Sequence, residues 1–344
     1  MNAHTSLETP AVLIHRPQLL SNISRMAQLA ADKGIKLRPH VKTHKIPEIA
    51  QLQVAAGAQG ITCATIGEAE VFARAGFHDI FIAYPLHLGS AAKARLNALP
   101  GAVTIGVDSV EAAENLVGVR ADIKAFIEVD CGHRRSGVLP DSAELTEIHA
   151  ALGERYAGVF TFPGHSYGPG NAAGAALAET TALQACVEKL GGGLSSGGSS
   201  PTAALTRGID EMRPGVYTFN DAQQLDSGAC TEADIALTVL STVVSRNVAD
   251  RRVIVDAGSK ILSTDKPTWI NGHGFVKGHP DLRISALSEH HATLFWPAEL
   301  ELPKIGAQLE VIPNHACNVI NLVDRVYVAG EETSWPVVAR GQNS

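Results

Sequence analysis

The first two-thirds of the chain repeat one theme: a short β-branched run, a turn, then an amphipathic stretch rich in Ala and Leu. Strand starts fall near Ile35, Gly60, Asp79, Val103, Ile123, Tyr156, Gly193 and Glu211. Eight strand–helix repeats in roughly 200 residues predict a parallel (β/α)8 barrel of the TIM type, with a doubly wound open sheet as the alternative. DIFIAY and IKAFIEVD are nearly continuous apolar runs, the pattern of parallel strands covered on both faces. The intervening stretches have helical periodicity. In QLLSNISRMAQLAADKG the apolar positions are Leu19, Leu20, Ile23, Met26, Leu29 and Ala30; Pro17 sits near the start and Gly34 ends the run. EAEVFARAG, ending at Gly76, is a second such segment.

After about residue 235 the texture changes. ALTVLSTVVS, RRVIVDAG, LRISAL and AQLEVIPN are alternating or β-branched and punctuated by Gly, Pro and Asn, which predicts an antiparallel β domain. The expected division is a barrel over residues 10–235 and a β domain over 236–344 plus 1–9, although TPAVLIH is strand-like and could pair with either part. With 45% hydrophobic residues in 344, the chain can bury a large core. A formal charge of -7 argues against a nucleic-acid footprint. No apolar run reaches the ~18 residues of a membrane span. MNAHTSLETP lacks the basic and apolar blocks of a signal peptide. Five scattered cysteines suit a reducing compartment, so the expectation is a cytoplasmic protein with no nucleic-acid or membrane partner.

Four segments could carry chemistry. In LRPHVKTHK (37–45), Arg38, His40 and Lys42 would share one face of a strand by two-residue alternation. Lys42 is then either the solvated end of a loop or an amine used for a Schiff base, helped by nearby cations. SSGGSSPTAA (195–204) and MRPGVYTFND (212–221) fall at the loops after the seventh and eighth strands, where barrels often hold phosphates; small residues there let backbone N–H groups approach an anion. IEVDCGHRRSGV (127–138) places Asp130, His133, Arg134 and Arg135 in a polar turn at a strand end. In NHACNVINLVD, His315 and Cys317 are two apart, which within a strand puts imidazole and thiolate on one face, a donor pair suited to zinc with open positions left over.

Taken in order, TP-x-x-L-I, RPHVKTHK, IEVDCGHRRSGV, GGSSPT, RPGVYTFND, VIVDAGSK and PNHACNVINL resemble the D-serine dehydratase / D-threonine aldolase family, alanine-racemase-like pyridoxal-phosphate enzymes, over residues 9 to 328. The resemblance implies a barrel followed by a β domain, usually in a homodimer. It implies that Lys42 carries the cofactor and that Arg135 approaches the cofactor's ring hydroxyl. Gly197, Gly198 and Ser199, with Gly215 and Val216, would form the phosphate cradle. Arg213 and Tyr217 would flank it, Arg213 in the place of the pyridine-nitrogen arginine of alanine racemases. Tyr167 resembles an active-site tyrosine of the dehydratases. His315 and Cys317 match the pair that holds a divalent metal; dehydratase-like members carry His-x-Cys and bind zinc, whereas the better-known aldolases carry His-x-Asp and use manganese or magnesium. Those aldolases also place a histidine where this chain has Gly168. One departure is Glu289-His290-His291, where the family often shows Glu-Glu-His; a missing carboxylate there would bear on the metal if it orients a ligand.

The implied reaction is elimination of the β-hydroxyl from a D-3-hydroxy amino acid, D-serine leading, to give a 2-keto acid and ammonia. Two alternatives stand beside it. One is retro-aldol cleavage of the D-threonine aldolase type to glycine and an aldehyde. The other is a non-catalytic pyridoxal-phosphate-binding protein.

Overall fold

The computed structural model describes residues 7–344, so the assignment of residues 1–6 to the β domain lies outside the described residues. The described chain divides into two units. One gathers residues up to Ile23, Thr43–Ile46 and Val216–Arg340; the other gathers Ser24–Lys42, Pro47–Gly215 and Gly341–Ser344.

The second unit is the barrel. Its eight parallel strands are Lys36–Leu37, Ile61–Cys63, Asp79–Pro85, Ala102–Val107, Lys124–Glu128, Tyr156–Phe160, Leu194–Gly197 and Glu211–Met212. Each starts within one residue of the position expected from the sequence. The first strand pairs with the eighth, and neighbours pair in sequence order from the second to the eighth. A parallel bridge between His40 and Thr62 joins the first strand's extension to the second strand and closes the ring.

The connecting helices follow the apolar periodicity. The segment predicted from Pro17 to Gly34 is the helix Arg16–Lys33, and Gly34 leaves it at φ 63°, a left-handed conformation that glycine adopts without strain. The second runs Ile66–Arg74; Thr65 caps it by accepting the Glu68 N–H, and Glu68 Oε2 accepts the Ala64 N–H in return.

Aromatic side chains fill part of the barrel. Phe81 meets Phe126 and Phe160 edge-to-face, both with centroids 5.1 Å apart. Such pairs add ~0.5–1.5 kcal/mol each beyond simple burial. Arg38, which the alternation placed on the face of Lys42, is instead spent on structure: it donates from Nε to Glu211 Oε2 and from Nη1 to Asp79 Oδ1, both at 2.6 Å.

The other unit is built on a nine-stranded, mainly antiparallel sheet. Leu237–Asn247, Arg252–Val255, Ala292–Phe295, His279–Leu287, Phe275–Val276 and Gln308–Ile312 pair in that order, and the last pairs back to the first to close a ring. The strand Ala11–Ile14, fully buried, runs antiparallel to Leu237–Asn247 and parallel to Arg325–Val328. The grouping differs from the expected boundaries: residues 10–23, 43–46 and 216–235 group with the β domain, and residues 341–344 group with the barrel. The reason is hydrogen bonding. Ala11–Ile14 takes all its ladder partners from the β sheet, while the tail accepts hydrogen bonds from the barrel, at Ser344 O from the Gly67 N–H and at Gln342 O from Thr65 Oγ1. Among the described residues, no helix is long and apolar enough to cross a membrane.

Candidate active site

At the barrel's first strand the chain stays extended through His40: the Arg38 N–H donates to Met212 O and the His40 N–H to Pro214 O. It then turns. Lys42 sits in the 3-10 turn Val41–Thr43, not on the strand, because the chain leaves the barrel at this point for residues 43–46. The shared face expected for Arg38, His40 and Lys42 therefore does not form.

Lys42 lines a cavity of about 620 Å³ together with His40, Tyr84, Arg135, Phe162 and Arg213. Its Nζ lies 5.5 Å from the centroid of the Phe162 ring, and the Arg135 guanidinium 5.0 Å from the same ring. Phe162 also packs near Tyr167, with centroids 6.1 Å apart. Tyr167 ends the 3-10 turn Gly164–Tyr167, whose Ser166 hydroxyl meets Ser199 Oγ at 3.0 Å.

Arg213 is buried. Its Nε donates to Ser196 Oγ at 2.9 Å and its Nη2 to Thr161 O at 2.5 Å; its guanidinium lies 5.3 Å and 5.2 Å from the Phe81 and Phe160 rings. Burial lowers it to about 10 against the pull of Glu211, Glu179 and Glu128. His40 is held well below the usual imidazole range, first by burial and then by the cations Lys42 and Arg213, and its buried Nδ1 has no hydrogen-bond partner among the described residues. Glu128 approaches Arg135 Nη2 at 3.4 Å; burial raises its carboxyl against Ser136 and Arg135, and its Oε2 has no partner. Asp130 turned out to be structural: its Oδ1 accepts the N–H groups of Gly132 and Arg134, which fixes the turn that presents Arg135.

Gly197 and Gly198 end the seventh strand, and the Gly197 carbonyl accepts the Arg213 N–H at 2.8 Å. Gly198 has φ 78°, and a Cβ there would lie 2.8 Å from Met212 Cβ, so this buried position requires glycine both for its backbone conformation and for its packing. Gly215 is the last barrel-unit residue before the division; Val216 and Tyr217 lie in the 3-10 turn Val216–Thr218 of the other unit, both buried.

In that other unit, His315 and Cys317 are not on a strand. His315 is the N-cap of the short helix Ala316–Ile320, and Cys317 lies in its first turn. The turn forms because Asp221 Oδ2 accepts the Ala316 N–H at 2.9 Å. The two side chains still converge. Cys317 Sγ lies 3.3 Å from Thr43 Oγ1, and Thr43 follows Lys42 in the chain. His315 Nδ1 and Asp265 Oδ2 are 2.5 Å apart. Burial opposes charge on both His315 and Cys317, yet each stabilises the other: His315 is raised to about 11 by Cys317 and Asp265, and the Cys317 thiol is pulled down by His315. Among the described residues, no group of three or more His, Cys, Asp and Glu side chains is arranged as a metal site.

The residues fit the groups they were expected to hold. A cavity lined by Lys42 and two guanidinium groups, with His40 Nδ1 and Glu128 Oε2 left unpaired among the described residues, suits a phosphorylated aromatic aldehyde. An imidazole beside a depressed thiol suits a borderline-soft dication. Sequence reasoning missed Phe162 and Asp265. Spacing gave no signal for Asp265, which lies 50 residues from His315. The orienting carboxylate was sought at 289–291, but Glu289 pairs with Lys260 at 2.8 Å.

Residues 14–223 match the family described as "Alanine racemase, N-terminal domain", and residues 236–329 match "Putative serine dehydratase domain". The chain is 35% identical to D-threo-3-hydroxyaspartate dehydratase of Delftia sp. (strain HT23), with 91% of each chain covered. It is 31% identical to D-threonine aldolase of Arthrobacter sp, covering 97% of this chain and 93% of the aldolase. The solved structure of the Delftia dehydratase superposes with a TM-score of 0.88 at 32% identity, covering 97% of this chain and 98% of that one; a variant of that dehydratase is solved in a metal-free form. The chain belongs to the D-serine dehydratase / D-threonine aldolase family of alanine-racemase-like, fold type III pyridoxal-phosphate enzymes.

Proposed function

We propose that this protein is a pyridoxal-phosphate- and zinc-dependent lyase that eliminates the β-hydroxyl of a D-3-hydroxy amino acid, D-serine foremost, to give a 2-keto acid and ammonia. Lys42 would hold the cofactor covalently, with Arg135 at its ring hydroxyl and Arg213 at its ring nitrogen. Gly197, Gly198, Ser199, Gly215 and Val216 would hold its phosphate, flanked by Tyr217. Bound there, pyridoxal phosphate supplies an electron sink for charge developing at the substrate Cα. Lys42 Nζ then acts on the α-proton, a role open to it only as the uncharged amine. Phe162 walls the cavity beside Lys42 and Arg135 and limits water at the reacting carbon. Tyr167, its ring centroid 6.1 Å from that of Phe162, would orient a substrate group. His315 and Cys317 would hold zinc, which polarises a hydroxyl leaving group as a Lewis acid.

The observation that favours elimination is Cys317. Its thiol is held low beside an imidazole, a soft donor where an aldolase-type site would present a carboxylate. The second reading, retro-aldol cleavage to glycine and an aldehyde, draws on the similarity to the Arthrobacter aldolase, nearly equal to that with the Delftia dehydratase. Offering D-serine and D-threonine separately decides between them: keto acid with ammonia supports elimination, glycine with acetaldehyde supports cleavage. Lys42→Ala should abolish the yellow absorbance of lysine-linked cofactor, and an unchanged spectrum removes the basis of both readings. A homodimer in the cytoplasm is part of the same proposal, and light scattering tests the assembly.

A further inference from the structure

The barrel carries a carboxyl group that the proposed chemistry does not use. Glu179 lies in the helix Ala172–Lys189 and is completely buried. An uncompensated carboxylate there costs several kcal/mol. Its partners all belong to one loop. Glu179 Oε1 accepts the backbone N–H of Gly198, Oε2 accepts from Thr206 Oγ1 at 3.0 Å, and the Thr202 hydroxyl is a further partner. The loop is also tied to itself, to the Tyr167 turn and to Lys33, whose Nζ donates to Ala204 O and Thr206 O, both at 2.9 Å. The Ser199 N–H donates to Thr202 Oγ1 at 2.9 Å, and Ser199 Oγ meets Ser166 Oγ at 3.0 Å. A Cβ at Gly197 would run into Glu179 Oε1. The carboxyl therefore lies directly beneath the two glycines and sets the height of the segment read above as the phosphate cradle.

We propose that Glu179 is a positioning residue for the cofactor-phosphate loop, and that it takes up a proton when the phosphate binds. The proposal rests on the reading of residues 197–199 as that cradle. A neutral carboxyl keeps an acceptor oxygen for the Gly198 N–H while removing a negative charge from beneath an anion. The surroundings are poised for the change. Burial lifts the group to about 7, opposed by Gly198, Thr206, Arg213 and Thr202. Among the described residues, the titratable groups coupled to it are Arg213, from the eighth strand, and Cys131, from the turn after the fifth. A phosphate dianion set above it pushes the same way as burial, toward the protonated form. The bound state then holds more protons at this site than the free state, so affinity is highest at low pH and falls as pH rises through about 7.

The test is equilibrium binding of pyridoxal phosphate, and in parallel of pyridoxal, to the full-length chain stripped of cofactor, across roughly pH 6 to 9. The phosphate's own ionisation contributes equally to wild type and variant, so the comparison with Glu179→Gln isolates the carboxyl. Wild type should lose affinity for pyridoxal phosphate by up to about tenfold per pH unit above neutrality relative to Glu179→Gln. The variant should match wild type near pH 6, and pyridoxal should show no such difference. Parallel pH profiles for the two proteins overturn the proposal, as does an equal pH effect on pyridoxal. Should Glu179→Gln fail to fold, Thr206→Val removes one donor to the charged carboxylate and should move the midpoint upward; an unmoved midpoint overturns the idea equally. If wild type binds pyridoxal as tightly as pyridoxal phosphate at every pH, the cradle assignment itself has failed, an outcome separate from failure of the proton uptake.

Discussion

Replacing Arg38 with Met tests how the barrel holds Arg213. Arg38 spans two carboxylates, Glu211 Oε2 at 2.6 Å and Asp79 Oδ1 at 2.6 Å. The two are unequal. The Glu211 side chain is 5% exposed and Asp79 46%. Asp79 can be rehydrated, so its share is under ~1 kcal/mol. Glu211 cannot, and after the substitution its Oε2 loses the guanidinium while Oε1 keeps only the Ser196 hydroxyl at 2.8 Å. Leaving a buried charge without its partner costs ~3–5 kcal/mol; the surviving Ser196 contact places the expected loss near the lower end, about 3 kcal/mol. That same hydroxyl accepts from Arg213 Nε, so the loss reaches the cavity-lining guanidinium. Urea unfolding followed by far-UV ellipticity, to which the barrel's helices contribute most, should show the loss. The double variant Arg38→Met, Glu211→Gln should recover at least half of it, because the neutral amide no longer demands a cation. A single-variant cost below ~1 kcal/mol, or a double-variant cost equal to the sum of the singles, would refute the argument.

Glu310 offers a pH test in the β domain. Burial opposes its charge, but His15 at 2.9 Å and Lys277 at 2.8 Å hold it down to about 2. A depressed folded value stabilises above the unfolded value of ~4.3 and is lost as pH falls toward 2, about 3 kcal/mol in all; Glu310→Gln should flatten acid unfolding in that window, read from the fluorescence of Trp269, Trp296 and Trp335, and an unaltered acid limb counts against it. Asp265→Asn weakens the hydrogen bond that orients His315, so zinc affinity measured against a chromophoric chelator should fall ~10–100-fold, and equal affinity would show that the carboxylate does not orient the ligand. Thr65→Ala removes both the helix cap and the bond to Gln342 O, for a cost of ~1–2 kcal/mol in thermal or urea unfolding, whereas Thr65→Ser should keep within ~0.5; equal losses in the two variants would exclude the hydroxyl as the cause.

The repeat pattern made the barrel legible because its signals are local. Each strand start is set by a run of β-branched residues after a Gly or a polar turn, and each helix by a 3.6-residue stripe. The pattern failed where partners are distant. Ala11–Ile14 looks the same whichever sheet it joins, and its ladder to Leu237–Asn247 depends on a partner more than 220 residues away rather than on its own four residues. Alternation likewise put Arg38, His40 and Lys42 on one face, since a two-residue period does not register that the chain turns at Val41.

The site divides along the same line. Lys42, Arg135 and Arg213 were legible as residue types inside recognisable motifs, and one cavity gathers them. Their polar partners were not. Asp265 meets His315, Glu211 reaches Arg38 and indirectly Arg213, and Glu179 meets Gly198; none belongs to a motif of its own. Each is a carboxylate that a sequence window reads as surface charge; Glu211 and Glu179 become informative once burial makes an unpaired state expensive, and half-exposed Asp265 through its contact with His315. Function in this chain is therefore written twice: in short motifs that name the chemical groups, and in scattered acids that fix where those groups stand. The second script is the one that can differ between a dehydratase and an aldolase sharing the same motifs. Substitutions at Asp265 and Glu179, rather than at Lys42, are accordingly where metal and cofactor affinity should separate from the bond-breaking step.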